Sequence, residues 1–136
     1  MSSGVKIDPQ TVETYNSLKL GRKFRCIFYQ MSADNTQICV EKTLEPTSSF
    51  EDMVAALPQS DSRYVVFDYE YQEEGATKNK IVFVNWCPDT APIKKKMLYT
   101  SSKDSIRKAL VGIQVEIQAT DLSECSKEVF DEKCKK

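Results

Sequence analysis

The chain has 136 residues, of which 40% are hydrophobic and 29% are charged, with only four glycines and five prolines. This is the size and composition of one ordinary globular domain, which argues against a disordered chain, a fibrous repeat or a pair of domains. The formal net charge is −1, and no apolar run approaches the roughly 20 residues needed to span a bilayer.

The first predicted elements are a helix and a strand pair. Asp8 and Pro9 have the form of a helix start, with Asp8 as the N-cap, and Gly21 is placed to end that helix. Apolar runs over 24–31 and 38–44 then predict two strands joined by a polar turn. This arrangement is typical of a β-hairpin.

A short helix and a second strand pair follow. Ser48 and Glu51 form a capping box that predicts the start of a helix ending before Pro58. Runs over 64–71 and 80–86 predict strands, and the first of them carries apolar side chains on both faces. Such a strand belongs in the middle of a sheet that is covered on both sides.

The last third of the chain predicts a long helix from 92 to about 111, a short strand over 113–119 and a terminal helix. Asp121 and Glu124 form a second capping box, which we expect to open the terminal helix. The residues expected on the buried side of that helix are Leu122, Cys125 and Val129.

These elements predict a single α/β (α+β) domain over residues 1–136. Helices and strands mixed in this order favour one central, mixed and mostly antiparallel five-stranded sheet sandwiched between helices. Residues 1–6 precede the first predicted helix, and we expect them to be flexible.

The residue types argue against an enzyme and against a bound cofactor or metal. Histidine is absent, which removes the commonest general base and metal ligand. The five cysteines include no Cys-x-x-Cys pair, and Cys26 and Cys39 lie in apolar runs as small core residues. The adjacent Glu73 and Glu74 would point apart in an extended chain, and no glycine-rich phosphate loop is present.

Charge is concentrated in one segment. Between Lys78 and Lys108 there are eight basic residues and only two acidic ones. This distribution indicates either an acidic partner or a solvated, lysine-rich helix face. Nucleic acid is the less favoured partner because the whole chain has a pI near 5.6.

The long helix contains an unusual outward residue. At about 100° per residue, Leu98, Tyr99 and Ile106 share an arc that predicts the core side. Met97 falls almost opposite, with Ile93 pointing the same way. A basic stripe runs nearby, formed by Lys96, Lys103 and Arg107 together with Thr100. An apolar anchor ringed by charges is typical of an interface, and the alternative is that Met97 packs beneath a loop.

The residues 86–107 read WCPDTAPIKKKMLYTSSKDSIR. This run closely resembles the signature of the ADF/cofilin family: Pro-acid-x-small, then basic-x-basic-Met-x-Tyr, three small residues and an aliphatic-basic pair. The resemblance extends over 3–5, 18–21, 64–71 and 118–121, covers essentially the whole chain and looks closest to the short fungal-type cofilins.

The resemblance implies an ADF-homology fold and a function in actin dynamics. Members of the family bind monomeric and filamentous actin, prefer the ADP-bound form, twist and sever filaments and promote depolymerisation. Two alternatives stay open: a module of the same fold that binds filament sides without severing, as coactosin-like relatives do, and a phosphoinositide-binding regulator.

Matching the family motifs residue by residue implies two surfaces on this chain. The residues implied to bind both monomeric and filamentous actin are Ser3, Gly4, Val5, Lys94, Lys96, Met97, Lys103, Asp104, Arg107 and Lys108. The residues implied to bind only filaments are Lys78, Lys80, Glu132, Lys133 and Lys136. Ser3 also matches the family's inhibitory phosphorylation site.

The resemblance further implies partners and a location. Phosphoinositide headgroups would compete with actin for the basic stripe, and coronin, the actin-interacting WD-repeat protein and cyclase-associated protein are candidate cooperating factors. The N-terminus has no apolar stretch that could act as a secretory signal. We therefore expect a monomer in the cytoplasm, at cortical structures of the actin cytoskeleton, without a transmembrane segment or nucleic-acid partner.

Overall fold

The computed structural model describes residues 4–135 and contains six strands and four α-helices within that range. The strands are β1 (Lys6–Ile7), β2 (Cys26–Met31), β3 (Gln37–Leu44), β4 (Arg63–Glu73), β5 (Ala76–Trp86) and β6 (Val115–Ala119). The helices are α1 (Pro9–Gly21), α2 (Phe50–Ala55), α3 (Ile93–Ala109) and α4 (Lys127–Cys134), with a 3-10 turn at Leu122–Glu124. None of these described helices has both the length and the apolar character needed to cross a membrane.

The strands form one sheet in the order β1-β3-β2-β4-β5-β6. The three inner pairings are antiparallel, whereas β1 pairs with β3 and β5 pairs with β6 in parallel. The predicted mixed, mostly antiparallel sheet is therefore confirmed, but its strand count is six rather than five. The additional strand is β1, whose two residues are too few to show an alternating pattern in the sequence.

The start of the described chain is tied to this sheet. Lys6 pairs with Gln37 and Ile7 with Ile38, and the side chain of Val5 is buried. Val5 and Lys6 fall in the segment expected to be flexible, yet both are held against the sheet edge. Strand β1 also contacts α3, so the N-terminal segment runs beside the long helix.

Each face of the sheet carries its own apolar core. Along β4, Tyr64 and Val66 point to one core, whereas Val65 and Phe67 point to the other, because successive side chains of a strand alternate between faces. The first core includes residues of α1 and α3, and the second includes residues of α2 and α4. The predicted sandwich of helices around a central sheet is confirmed.

The start of α2 differs by one residue from the prediction. Ser49, not Ser48, is the N-cap: its Oγ accepts from the Asp52 backbone N at 3.1 Å, and Asp52 Oδ2 accepts from the Ser49 backbone N at 2.9 Å. Two adjacent serines are each followed three residues later by an acid, so the pattern fits both registers. The backbone N of Ser48 instead donates to the Glu45 carbonyl in a turn.

The terminal helix also begins later than predicted. Asp121 caps only the 3-10 turn, and α4 starts at Lys127 with Ser126 as its N-cap. Cys125 is buried as expected, but 56% of Leu122 is exposed, so its predicted inward position is wrong. A second cap at Ser126 restarts the helix and breaks the phase that a single helix from Asp121 would keep.

Candidate functional site

The outward face of α3 carries two large apolar side chains. Met97 is 66% exposed and Ile93 is 70% exposed, whereas Tyr99 and Ile106 on the opposite side are buried. The prediction that Met97 points away from the core is confirmed, and packing beneath a loop is excluded by its exposure. An exposed methionine one turn from an exposed isoleucine makes an apolar patch suited to a protein interface.

Tyr99 fixes the rotation of α3 about its own axis. Its hydroxyl accepts from the Met31 backbone N at 2.8 Å, and its carbonyl accepts from the Tyr64 hydroxyl. The Tyr64 and Tyr99 rings also lie 4.9 Å apart between centroids. These contacts join the helix to β2 and β4, and they hold the Met97 side of the helix in solvent.

The cations around the patch are of two kinds. Lys94 and Lys108 are exposed, and among residues 4–135 neither has an ion-pair partner. Lys96 Nζ lies 3.4 Å from the backbone carbonyl oxygen of Asp89. Lys103 and Arg107 are held by a carboxylate, as described next, while Asp104 on the same helix is exposed. The predicted basic residues that border the apolar patch therefore differ in mobility: a carboxylate holds Lys103 and Arg107, whereas the side chains of Lys94 and Lys108 are free to move.

Glu116 on β6 holds two of these cations. Its Oε2 lies 2.7 Å from Lys103 Nζ, and its Oε1 accepts from Arg107 Nε at 2.8 Å. The Arg107 guanidinium also lies 5.8 Å from the centroid of the Phe83 ring. Sequence reasoning missed Glu116 because only the pairing of β5 with β6 brings this strand beside the helix. The carboxylate keeps both cations extended in a fixed geometry.

This ion pair makes stability depend on pH. Burial alone would raise the pKa of Glu116, but the hydrogen bonds and charges of Lys103 and Arg107 outweigh it and lower the pKa below its ordinary value of 4.5. A carboxyl whose pKa is lower in the folded state stabilises the fold above its ordinary pKa. That contribution is lost as the pH falls through the folded-state pKa.

Replacing Glu116 with glutamine should therefore lower the free energy of unfolding by about 1 kcal/mol at neutral pH. It should also flatten the fall in stability on acidification below pH 4.5. Urea unfolding followed by circular dichroism at neutral and acidic pH measures both effects. The Glu132→Gln variant, at an exposed site on α4, is the control. Parallel pH profiles for Glu116→Gln and the unmodified protein would show that the pair contributes nothing.

The residues predicted for the second surface gather where β5 begins and α4 ends. Lys80 Nζ donates to the Cys134 carbonyl at 2.8 Å, which joins the strand directly to the helix. Lys78, two residues earlier on the same face of the strand, pairs with Glu73 at 3.1 Å. Glu132 and Lys133 are exposed on α4, and Lys136 lies outside the described residues. Lys80 is therefore partly a structural residue.

The N-terminal segment lies beside α3, through the contact between β1 and that helix. Gly4 is exposed with φ +82, a left-handed conformation that other residues rarely adopt, and Val5 turns inward. Ser3, with its predicted phosphorylation, lies outside the described residues. Gly4 is therefore accessible at the surface, whereas Val5 belongs to the core on which α3 packs.

The two predicted surfaces belong to opposite sides of the sheet. Helix α3 packs on the core that includes α1, and α4 packs on the core that includes α2. A rigid body with one surface on each side can contact two different partner molecules at once.

The described cysteines offer no activated nucleophile. All five are free, and burial raises the pKa of the Cys26 and Cys87 thiols and that of Cys125 to about 12. A protonated thiol is a poor nucleophile. Cys26 is a core residue as expected, whereas Cys39 is only half buried in β3.

Comparison with known proteins gives consistent matches along the chain. Residues 4–135 match the family described as "Cofilin/tropomyosin-type actin-binding protein". Cofilin-1A of Dictyostelium discoideum is 58% identical over 136 residues, covering 100% of this chain and 99% of that protein. Cofilin of the fungus Mycosarcoma maydis is 49% identical over 127 residues, covering 93% and 91%. The crystal structure of Streptomyces griseoflavus cofilin matches with a TM-score of 0.90 at 44% identity and covers 96% of each chain.

Proposed function

The chain belongs to the ADF/cofilin family of actin-binding proteins, which are not enzymes, and on that premise we propose that it remodels actin filaments. It binds monomeric and filamentous actin, prefers the ADP-bound form, twists and severs filaments and promotes their depolymerisation. The observation that carries this proposal is the exposed Met97 on α3, bordered by lysines and an arginine.

In this proposal, α3 enters a groove on actin that is apolar within an acidic surround. Met97, with Ile93 beside it, supplies the buried apolar contact, which accounts for most of the affinity. Lys94, Lys96 and Lys108 supply long-range attraction and orientation. Lys103 and Arg107 arrive already extended by Glu116, so less side-chain freedom is lost on binding. Gly4 and Val5 complete this contact from the adjacent N-terminal segment.

The second surface would contact the neighbouring subunit of a filament. Its position on the side of the sheet away from α3 supports this role. A protein that spans two subunits favours a twisted filament only if it binds the twisted arrangement more tightly than the resting one. Severing then needs no covalent chemistry by this protein.

Sedimentation and microscopy test the function directly. We expect the protein to pellet with ADP-actin filaments and to shift part of the actin into the supernatant. At substoichiometric protein, fluorescence microscopy should show shorter filaments. Filaments that are decorated but keep their length would favour the coactosin-like alternative, and no pelleting at all would contradict both.

The two surfaces are separable by mutation. The double variant Lys78→Ala with Lys133→Ala should weaken filament binding about 10-fold, because both lysines belong to the surface assigned to filaments alone. Monomer binding should be unchanged, because that surface is separate from α3. Lys80 is left intact because its bond to the Cys134 carbonyl holds α4.

The matched variant, Arg107→Ala with Lys108→Ala, should weaken both monomer and filament binding. Co-sedimentation and a fluorescent-monomer titration measure the two activities. Equal losses in both assays for the Lys78 and Lys133 variant would contradict the assignment of two surfaces.

Negative charge would regulate actin binding in two ways. A phosphate on Ser3 would add about −1.5 to −2 charges to the N-terminal segment of a protein that binds acidic actin, and would thereby inhibit binding. Phosphoinositide headgroups would compete for the α3 cations. We further propose coronin, the actin-interacting WD-repeat protein and cyclase-associated protein as cooperating factors. We expect the protein at cortical structures of the cytoplasmic actin cytoskeleton.

A further inference from the structure

An apolar groove on the α2 side of the sheet belongs to neither predicted actin surface. It has a volume of about 600 Å³ and lies between the end of α2, the loop after β5 and the 3-10 turn. Its lining includes Val54, Leu57 and Trp86, and Leu122 borders it. Openings of this size with apolar walls are typical of ligand or peptide sites.

A second apolar hollow of about 430 Å³ continues along α2. It shares Val54, Ala55 and Leu122 with the first and extends to Phe50 and Cys125. The two hollows together form what we call the α2 groove, with Leu122 between them. Leu122 is 56% exposed at this position, although leucine is normally buried.

The walls of the first hollow are already held in place. Trp86 Nε1 donates to the Pro58 carbonyl at 2.8 Å, and the Thr90 hydroxyl bonds the Gln59 carbonyl. These bonds join the loop after α2 to the end of β5 and to the loop that follows it. A ligand would therefore meet a preformed site and lose little free energy in ordering it.

The charge at the α2 groove has the opposite sign to that of α3. Asp89 and Asp121 line the first hollow, and no basic residue among residues 4–135 does, although Lys96 Nζ lies 3.4 Å from the backbone carbonyl oxygen of Asp89 at its edge. Within residues 4–135 the Asp89 carboxylate has no hydrogen-bond or ion-pair partner. In the second hollow, Glu51 and Lys127 pair with each other at 3.3 Å. The unneutralised charge at the groove is thus negative.

We propose that the α2 groove binds a segment of a partner protein in which two apolar side chains lie next to a basic residue. The two hollows each accept one apolar side chain, on either side of Leu122. The basic residue pairs with Asp89, whose carboxylate is free to receive it. Because an acidic surface of actin suits the cations of α3, this groove of opposite charge fits a partner of different chemistry.

Trp86 provides a direct test, since it lines the groove and is the chain's only tryptophan. The probe is a synthetic peptide with the repeat Arg-Leu-Leu, and the matched control peptide has Glu in place of each Arg. We expect the Arg peptide to change the Trp86 fluorescence with a Kd on the order of 10–100 μM and the Glu peptide to bind at least about 10-fold more weakly.

Variants then locate the site. Leu122→Ala should weaken binding of the Arg peptide about 5-fold, and Asp89→Asn about 3-fold. Leu20→Ala, which alters an exposed leucine on α1 outside the α2 groove, and Met97→Ala on α3 should leave the affinity unchanged. Equal affinity of the two peptides, or an equal loss on Leu20→Ala or Met97→Ala, would overturn the proposal. The assay contains no actin, so its outcome is independent of the proposed actin function.

Discussion

Replacing Met97 with aspartate is expected to weaken the binding of actin monomers by about 100-fold, which corresponds to roughly 2.7 kcal/mol. The substitution removes the apolar anchor and places a negative charge where the partner is acidic. Because Met97 is 66% exposed, the free energy of unfolding should change by no more than about 0.5 kcal/mol. The loss would therefore report on the interface and not on the fold.

A fluorescent-monomer titration measures the affinity, and urea unfolding checks the fold. The matched control is Leu20→Asp, which introduces the same charge at a leucine that is 78% exposed on α1. We expect that control to retain normal actin binding. If Leu20→Asp and Met97→Asp lost affinity to the same extent, the effect would come from net charge alone, and α3 would lose its assigned role.

The outward position of Met97 could be predicted from the sequence for a physical reason. Helix α3 has 17 residues, which is long enough to display the 3.6-residue period over several turns. The buried residues Tyr99 and Ile106 define one side, so the direction of Met97 follows from their phase. Apolar residues on the other side, here Met97 and Ile93, are then informative even without knowledge of the rest of the fold.

Contacts between distant segments could not be predicted in this way. Glu116 reaches Lys103 and Arg107 only because β6 joins the sheet edge next to β5. Lys80 has the same sequence character as Lys78, yet its Nζ bonds the Cys134 carbonyl 54 residues away. Neither contact follows a local period, because the packing of elements decides which charged side chains meet.

Short elements also could not be predicted from the periodicity of the sequence. The 3-10 turn at Leu122–Glu124 has three residues, so its difference from an α-helix does not show in a periodic count. Leu122 was therefore predicted in the core, whereas the structure places it at the surface, where it lines the α2 groove.

Replacing Phe130 with alanine should lower the free energy of unfolding by about 3–5 kcal/mol. Phe130 is fully buried, and its ring centroid lies 4.9 Å from that of Phe50 and 5.1 Å from that of Tyr69. The variant loses the buried ring and leaves a cavity between α2, α4 and the sheet. Urea unfolding measures the change, and Lys133→Ala on the exposed side of the same helix should change it by less than about 0.5 kcal/mol.

The same substitution should affect the two actin activities unequally. Helix α4 has eight residues, which is too short to be stable without its packing, and besides Phe130 it is held by the Tyr69–Asp131 hydrogen bond of 2.6 Å and by Lys80. Loosening α4 displaces Glu132 and Lys133 of the second surface but leaves α3 anchored through Tyr99 on the other side of the sheet. At a temperature where Phe130→Ala remains folded, filament binding should therefore fall at least about 5-fold more than monomer binding. A parallel loss of both would mean that α4 supports the whole domain and contributes no separate contact to the filament.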